Sequence, residues 1–272
     1  MRLEELEAAM PGVRRLRGTG AEITGIAYHS LRVIPGGLFA AVPGFVTDGH
    51  RFIGEALERG ARALLLQDPG RLPEGVPEDV AVLQAEDVRA ALALASDRFF
   101  GHPSGRMKLV GVTGTNGKTT TTYLFEAIQA AAGRPCGVIG TGGYRYAGKI
   151  HEAPLTTPGA LQLHSLFADM KAAGCSDVVL EASSIALDQG RLHGCTFRVA
   201  GLSNITQDHL DYHGTMERYR AAKAILFREL LSDKRGVAVL FADDEAGRSM
   251  RSEVRGPTLT LTRQSKGGDE IG

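Results

Sequence analysis

The order of apolar and polar positions changes character partway along this chain. In the first part, short β-type runs in "ITGIAYHSLRVIPGGLFAAVPG" are broken by turns at Pro35-Gly36-Gly37 and Pro43-Gly44. The helical pattern "HRFIGEALERGA" and the strand-like "RALLLQ" follow. A Pro/Gly-rich stretch, "DPGRLPEGVPED", then leads to "VAVLQ" and the amphipathic "EDVRAALALASDRFF", which stops at "GHPSG". Short strands, turns and a few helices predict a small mixed α/β unit over residues 1–103, with the boundary near Pro103.

From residue 104 to 272 the rhythm becomes a clean alternation of strand and helix. "KLVGVTG" runs into a helix through "TTTTYLFEAIQAAAG", "PCGVIG" is followed by "GALQLHSLFADMKAAG", and "DVVLEAS" by "RVAGLSNI". Next come the helix "MERYRAAKAILFREL", the strand "GVAVLFAD", a short helix and "TLTLT". Strands that are apolar along their whole length, separated by amphipathic helices, predict an α/β fold with a mostly parallel sheet covered on both faces. Ligands of such sheets bind beyond the strand C-termini.

Composition narrows the classes of function. The 31 basic and 31 acidic residues cancel, so no bulk positive field draws the chain to nucleic acid or to an acidic membrane surface. Cys136, Cys175 and Cys195 are too scattered for a disulfide framework or a CxxC zinc site, which fits a reducing cytoplasm. The start "MRLEELEAAM" lacks the basic end and apolar core of a signal peptide, and no apolar run approaches membrane-spanning length. A cytoplasmic location without membrane insertion is the expectation.

The first candidate chemistry is "KLVGVTGTNGKTT", which supplies strand, glycine turn and helix start in the order of a phosphate-binding loop. Gly114 and Gly117 let backbone amides approach phosphate oxygens, and the helix N-terminus adds positive potential. Lys118 is placed to reach the β- and γ-phosphates, and Thr119 to offer a hydroxyl to Mg²⁺. Val112 stands at the first glycine position of the longer GxxxxGKS/T pattern, leaving the shorter GTNGKT form. Such a loop serves kinases, GTPases, motors and ligases alike.

Downstream, Glu181 in "LEASSIALDQGR" falls at a strand C-terminus, on the same rim as the loop, where a carboxylate suits Mg²⁺. Asp208, His209, Asp211 and His213 crowd the loop "QDHLDYHG"; metal binding and ordinary loop composition are both open on spacing alone. Lys223 shares a helical stripe with Met216, Tyr219 and Phe227. Stripe position by itself favours a snorkelling lysine. The other reading is a buried amine of lowered pKa that reacts with carbon dioxide to give an anionic carbamate able to bind Mg²⁺.

"GTNGKTTTT", "LTTPG", "EASS…LDQGR", "NITQDHLDYHGTMERYRAAKAILF" and "ADDE" together resemble the Mur ligase family, which builds the peptide stem of bacterial peptidoglycan. Within it, "HSLRVIPGGLFAAVPGFVTDGHRFI" and "DHLDYHGTMERYRAAK" look most like the E-type branch. The resemblance implies an ATP-dependent amide ligase. ATP would activate the D-glutamate carboxylate of UDP-MurNAc-L-Ala-D-Glu as an acyl phosphate, and a diamino acid would attack it.

Carried over by motif, Gly114, Thr115, Asn116, Gly117, Lys118, Thr119 and Thr120 would bind ATP, with Thr119 and Glu181 on one Mg²⁺. His209 and a carbamylated Lys223 would serve a second Mg²⁺, and Lys118, Glu181, His209 and Lys223 would form the catalytic set. Thr156, Thr157, Ser184, Gln189 and Arg191 match positions for the muramoyl-dipeptide, and Tyr28, Ser30, Phe45, Val46 and Thr47 match the uridine region.

The chain departs from the family pattern in four places. His29 and Leu31 flank Ser30 where Asp and Arg are usual, Ile185 replaces a histidine and Phe241 an asparagine. Family members carry a third, amino-acid-binding domain that "RQSKGGDEIG" does not begin, so that domain is expected to be absent here. A nucleotide and UDP-muramoyl-peptide binding module without turnover is therefore the second reading. A generic P-loop kinase or GTPase is the third, disfavoured because no guanine-reading NKxD motif occurs.

Overall fold

The computed structural model describes residues 1–44, 47–232, 235–241, 243 and 245–262. Its contacts divide into two compact units: Met1–His102 with Ala160–Ser165, and Pro103–Gly159 with Leu166–Gly272.

In the first unit the strands β1 (Arg14–Arg17), β2 (Ile26–Ala27), β3 (Leu38–Ala40), β4 (Ala63–Leu66) and β5 (Ala81–Gln84) form one sheet in the order β1-β5-β4-β3-β2. All neighbours are parallel except the edge pair β1 and β5. The period of two explains its two faces. Leu38, Ala40, Leu65 and Leu83 pack with Leu3 and Leu6 of α1 (Leu3–Glu7) and Leu92 and Ala95 of α3 (Val88–Phe99). Phe39, Leu64, Leu66 and Val82 pack with Ile53 and Ala56 of α2 (Ile53–Glu58). The α3 start is capped by Asp87, whose side chain accepts from the amides of Arg89 and Ala90. β1, "RRLR", is mostly exposed and carries no apolar alternation to mark it in the sequence.

The second unit is built on an eight-stranded sheet. Its strands are β6 (Lys108–Thr113), β7 (Cys136–Gly140), β8 (Gly143–Tyr146), β9 (Lys149–His151), β10 (Asp177–Glu181), β11 (Phe197–Leu202), β12 (Val237–Phe241) and β13 (Thr258–Leu261). They lie in the order β13-β12-β11-β6-β10-β7-β8-β9. The run from β13 to β7 is parallel, while β8 and β9 add an antiparallel hairpin at one edge. Its helices include α4 (Lys118–Ala131), α5 (Ala160–Ala172), α6 (Ser184–Asp188), α7 (Leu210–His213), α8 (Met216–Ile225) and α9 (Glu245–Met250). α8 continues as a π-turn over Leu226–Leu230, so the stretch read as one regular helix changes pitch at its end.

This topology decides where a site can form. β6 lies between β10 and β11, with Glu181 level with Val112 and Leu202 level with Thr113. The chain therefore leaves the sheet at three adjacent C-terminal strand ends, the place where an open α/β sheet offers a crevice.

Candidate active site

The loop after β6 takes the conformation its glycines allow. Gly114 has φ of 142° and is buried, and a Cβ there would lie 1.9 Å from Ser203 Oγ. Gly117 caps α4 in the left-handed region, with φ of 84°, which lets the loop turn directly into the helix. The next residue, Lys118, folds back so that Nζ donates to the carbonyls of Gly114 at 2.8 Å and Thr115 at 2.9 Å.

Lys223 arrives at the same carbonyl from α8, its Nζ donating to Gly114 O at 3.0 Å. Its stripe partners Tyr219 and Phe227 are buried with it, while Met216 is half-buried. The Lys223 side chain is 1% exposed, and Nζ lies 4.3 Å from the centre of the Tyr219 ring. Burial, then the neighbouring Lys118 charge, push its pKa down to about 7, against a smaller opposing pull from Asp208. Lys118 is lowered too, mainly by burial, with Glu181 and Asp208 acting in the other direction. Two amines on one carbonyl make a pocket short of negative charge.

Glu181 supplies the facing carboxylate. It is 1% exposed; Oε2 accepts from Thr119 Oγ1 at 3.0 Å, and Oε1 accepts from the Thr141 amide at 3.1 Å. Space for it exists because residue 140 is glycine: a Cβ there would lie 2.2 Å from Glu181 Oε1. Thr119 and Glu181 present hard oxygen donors side by side, a donor set that fits Mg²⁺. For a second cation, an ammonium on Lys223 is no ligand, so the fit there depends on that amine acquiring an anionic group. Among the described residues no group of three or more His, Cys, Asp and Glu side chains is gathered around a metal-sized space.

His209 lies at the start of α7 with φ of 51°, a conformation uncommon outside glycine. Its amide donates to Asp208 Oδ1 at 2.9 Å, and its ring centre is 6.2 Å from that of Tyr219. Tyr219 in turn reaches the phosphate loop, its hydroxyl 3.1 Å from Thr115 Oγ1. Tyr219 thus links His209, Lys223 and the loop.

The dipeptide candidates fall into a network beneath Glu181. Thr157 Oγ1 donates to Glu181 O at 2.6 Å and accepts from the Ser183 amide at 3.1 Å. Arg191 donates from Nη1 to Thr157 O at 2.9 Å and from Nη2 to Gln189 Oε1 at 2.6 Å. Thr156 Oγ1 is 2.9 Å from Thr141 Oγ1, and Ser184 Oγ is 3.0 Å from Nε2 of the buried His213. Burial and the charges of His209 and Lys223 lower the His213 pKa, which favours its neutral ring. Asn116 and Thr120 are exposed on the loop and helix start, while Ile185 is half-buried on α6 and Phe241 ends β12.

The uridine candidates belong to the first unit. Tyr28 is 48% exposed, and Ser30 is buried with its hydroxyl donating to Glu55 Oε2 at 2.6 Å. Thr47 is exposed and its carbonyl accepts from the Gly44 amide at 3.0 Å; Phe45 and Val46 lie outside the described residues.

One set of residues escaped the sequence reading. Ser203 and Asn204, directly after β11, hold the phosphate loop in place. Asn204 Oδ1 accepts from the Asn116 amide at 3.0 Å, and Asn204 Nδ2 donates to Asn116 O at 3.1 Å. Asn204 O accepts from the Thr115 amide at 2.9 Å, while Ser203 Oγ donates to Asn116 O at 2.6 Å. "SNIT" follows a strand that flanks β6, and that adjacency was the available signal.

Comparison with known proteins gives a family for the two units. Residues 112–270 match the model of the Mur ligase middle domain, and residues 22–100 match that of the Mur ligase family catalytic domain. A relative from Geobacillus thermodenitrificans, named UDP-N-acetylmuramoyl-L-alanyl-D-glutamate--2,6-diaminopimelate ligase, is 42% identical over 98% of this chain and 54% of its own length. A solved structure of a ligase of the same name is 31% identical, with a TM-score of 0.76 over 90% of this chain and 49% of that one. The MurF ligase of Thermotoga maritima, solved in complex with ADP, is 28% identical with a TM-score of 0.59 over 87% of this chain and 49% of that one. This chain spans about half the length of the relatives it matches.

Proposed function

The chain belongs to the Mur ligase family, and from that premise we propose that it supplies the nucleotide and acceptor sites of an ATP-dependent amide ligase. The reaction joins 2,6-diaminopimelate to the D-glutamate carboxylate of UDP-MurNAc-L-Ala-D-Glu, the substrate pair in the names of its relatives. The observation that carries the reading is the meeting of Lys118 and Lys223 on the Gly114 carbonyl, across the same strand ends from buried Glu181.

A carboxylate is a poor electrophile, so the acceptor must first be activated. One carboxylate oxygen attacks the γ-phosphorus of ATP, the bond to the β-phosphate oxygen breaks, and ADP leaves with the electron pair. The amine of the diamino acid then attacks the carbonyl carbon, loses a proton and expels inorganic phosphate. Both steps concentrate negative charge, which amides at the start of α4 and Lys118 would stabilise. Mg²⁺ held by Thr119 and Glu181 would neutralise further phosphate charge.

A second Mg²⁺ would be served by His209 and by Lys223 as a carbamate. The lowered pKa of Lys223 supports this, because the neutral amine is the form that adds to carbon dioxide. Thr156, Thr157, Ser184, Gln189 and Arg191 would hold the muramoyl-dipeptide, and Tyr28, Ser30, Phe45, Val46 and Thr47 the uridine end. The work of the reaction belongs to the cytoplasm, where ATP and the UDP-linked precursor coexist.

Calorimetric titration of the chain with ADP and with the UDP-dipeptide tests the assignment of sites. Both are expected to bind. Lys118→Ala should weaken ADP by roughly tenfold or more while leaving the UDP-dipeptide nearly unchanged. Equal binding of ADP by the parent chain and the variant would remove the loop from the nucleotide site. Binding of both ligands without turnover by this chain would mark it as a binding module.

A further inference from the structure

At the opposite end of the large sheet from the phosphate loop lies a cavity of about 510 Å³. Its wall includes Arg106, Lys108, Lys171, Arg198 and Arg235, and among the described residues no carboxylate lines it. The five cations come from separate elements that the topology brings together. Lys108 opens β6, Arg198 is near the start of β11, Arg235 precedes β12, Lys171 is in the last turn of α5 and Arg106 is in the turn before β6. Backbone bonds fix their spacing: the Lys108 amide donates to Ser176 O at 2.9 Å, and the Ser232 amide to Phe197 O at 2.9 Å. Arg198 also donates to the Arg235 carbonyl.

Among the described residues, cations without an ion pair occur elsewhere too, Arg17, Arg32 and Arg134 among them; what distinguishes this cavity is that five of them meet around one concavity. Arg15, Arg62, Arg71, Arg98, Arg145 and Arg228 each pair with a carboxylate. None of the five cavity cations forms an ion pair among the described residues. Asp177, the register partner of Lys108 on the next strand, is buried, accepts from Ser176 Oγ at 2.5 Å and offsets one charge at most. In a chain of zero formal net charge, five cations around one concavity are a local segregation that repels itself when empty. A helix-end role is open to Lys171 and to Arg106, at the end of a 3₁₀ turn, but not to Lys108 and Arg198, which lie in strands. β6 separates the cavity from the phosphate loop by its whole length, roughly 20 Å for a six-residue strand.

We propose that this cavity is a second anion site, distinct from the nucleotide site, and that it takes a phosphate-bearing ligand. Three guanidinium groups match phosphate oxygens in pairs, and the two ammonium groups add charge without directional demand. Five cations call for a ligand with more than one negative charge, as in a diphosphate or a cluster of phosphorylated headgroups. The soluble and the lipid sources share this chemistry.

The test uses the chain carrying Lys118→Ala, so that the phosphate loop contributes little. Inorganic pyrophosphate is titrated by calorimetry, and sedimentation is measured with vesicles of phosphatidylglycerol against phosphatidylcholine. Binding of either probe is expected, with affinity falling roughly tenfold or more when Lys108→Gln, Arg198→Gln and Arg235→Gln are added. Pyrophosphate binding would identify a soluble ligand, and binding of the anionic vesicles alone a headgroup. Should the triple variant fail to melt cooperatively, Arg106→Gln with Lys171→Gln, both exposed, provides the second comparison. Absence of binding to both probes, or affinity unchanged by either set of substitutions, overturns the proposal.

Discussion

At Gly114 the backbone holds φ at 142°, and the nearest atom to an added Cβ would be the Ser203 hydroxyl at 1.9 Å. Gly114→Ala should therefore cost about 1–3 kcal/mol of stability through backbone strain. It should also weaken ADP strongly, because two lysines are anchored on that residue's carbonyl; thermal melting and ADP titration measure the two effects. Lys223 carries a prediction of pH dependence. Its pKa of about 7 lies below the ordinary value of 10.5, so the amine is protonated and unreactive below about 7 and increasingly neutral above it. With ¹³C-labelled carbon dioxide at fixed pressure, a carbamate carbon resonance should appear as pH rises through 7 and be absent in Lys223→Arg. No lysine-dependent resonance at pH 8 would leave Lys223 as a plain amine. Periodicity put Lys223 on an apolar stripe but favoured a snorkelling side chain; the structure instead buries it at 1% exposure, because its amine finds the Gly114 carbonyl and the Tyr219 ring inside. Its bond to Gly114 was not legible in the sequence, because the partners are 109 residues apart.

Among elements, the segment after β11 governs the phosphate loop. Asn204 contributes two side-chain bonds to Asn116, so Asn204→Ala should lower ADP affinity by about 1–2 kcal/mol while the sheet beneath stays folded. Unchanged ADP affinity would mean that the loop holds its shape alone. The β8–β9 hairpin turns through Ala147 and Gly148, with φ of 50° and 72°. Alanine pays for that left-handed conformation, so Ala147→Asn is expected to stabilise the chain by about 0.5–1 kcal/mol, read from thermal melting. The same residue explains why the hairpin was not foreseen. "YAGK" lacks the Asn-Gly or Asp-Gly pair that announces such a turn, and the strands beside it are short. Strand and helix alternation from Lys108 onward was legible because most of the parallel strands carry apolar runs between amphipathic helices, although the edge strand β13, "TLTL", is mostly exposed. β1 was not, since an edge strand of sequence "RRLR" solvates its charges and shows no pattern.

For the whole molecule, sheet order matters more than any single motif. Placing β6 between β10 and β11 gathers the phosphate loop, Glu181 and the Ser203–Asn204 brace at neighbouring strand ends. It also gathers five cations at the other end, which no local sequence pattern could reveal. The first unit, built on a separate mostly parallel sheet, carries its own candidates Tyr28, Ser30 and Thr47 in the segments that connect its strands. No helix among the described residues is long and apolar enough to cross a membrane. The most direct measurement is phosphate release by this protein supplied with ATP, UDP-MurNAc-L-Ala-D-Glu and diaminopimelate, each omitted in turn. Release only when all three are present is the predicted result. Release that persists without the UDP-dipeptide would contradict the ligase reading.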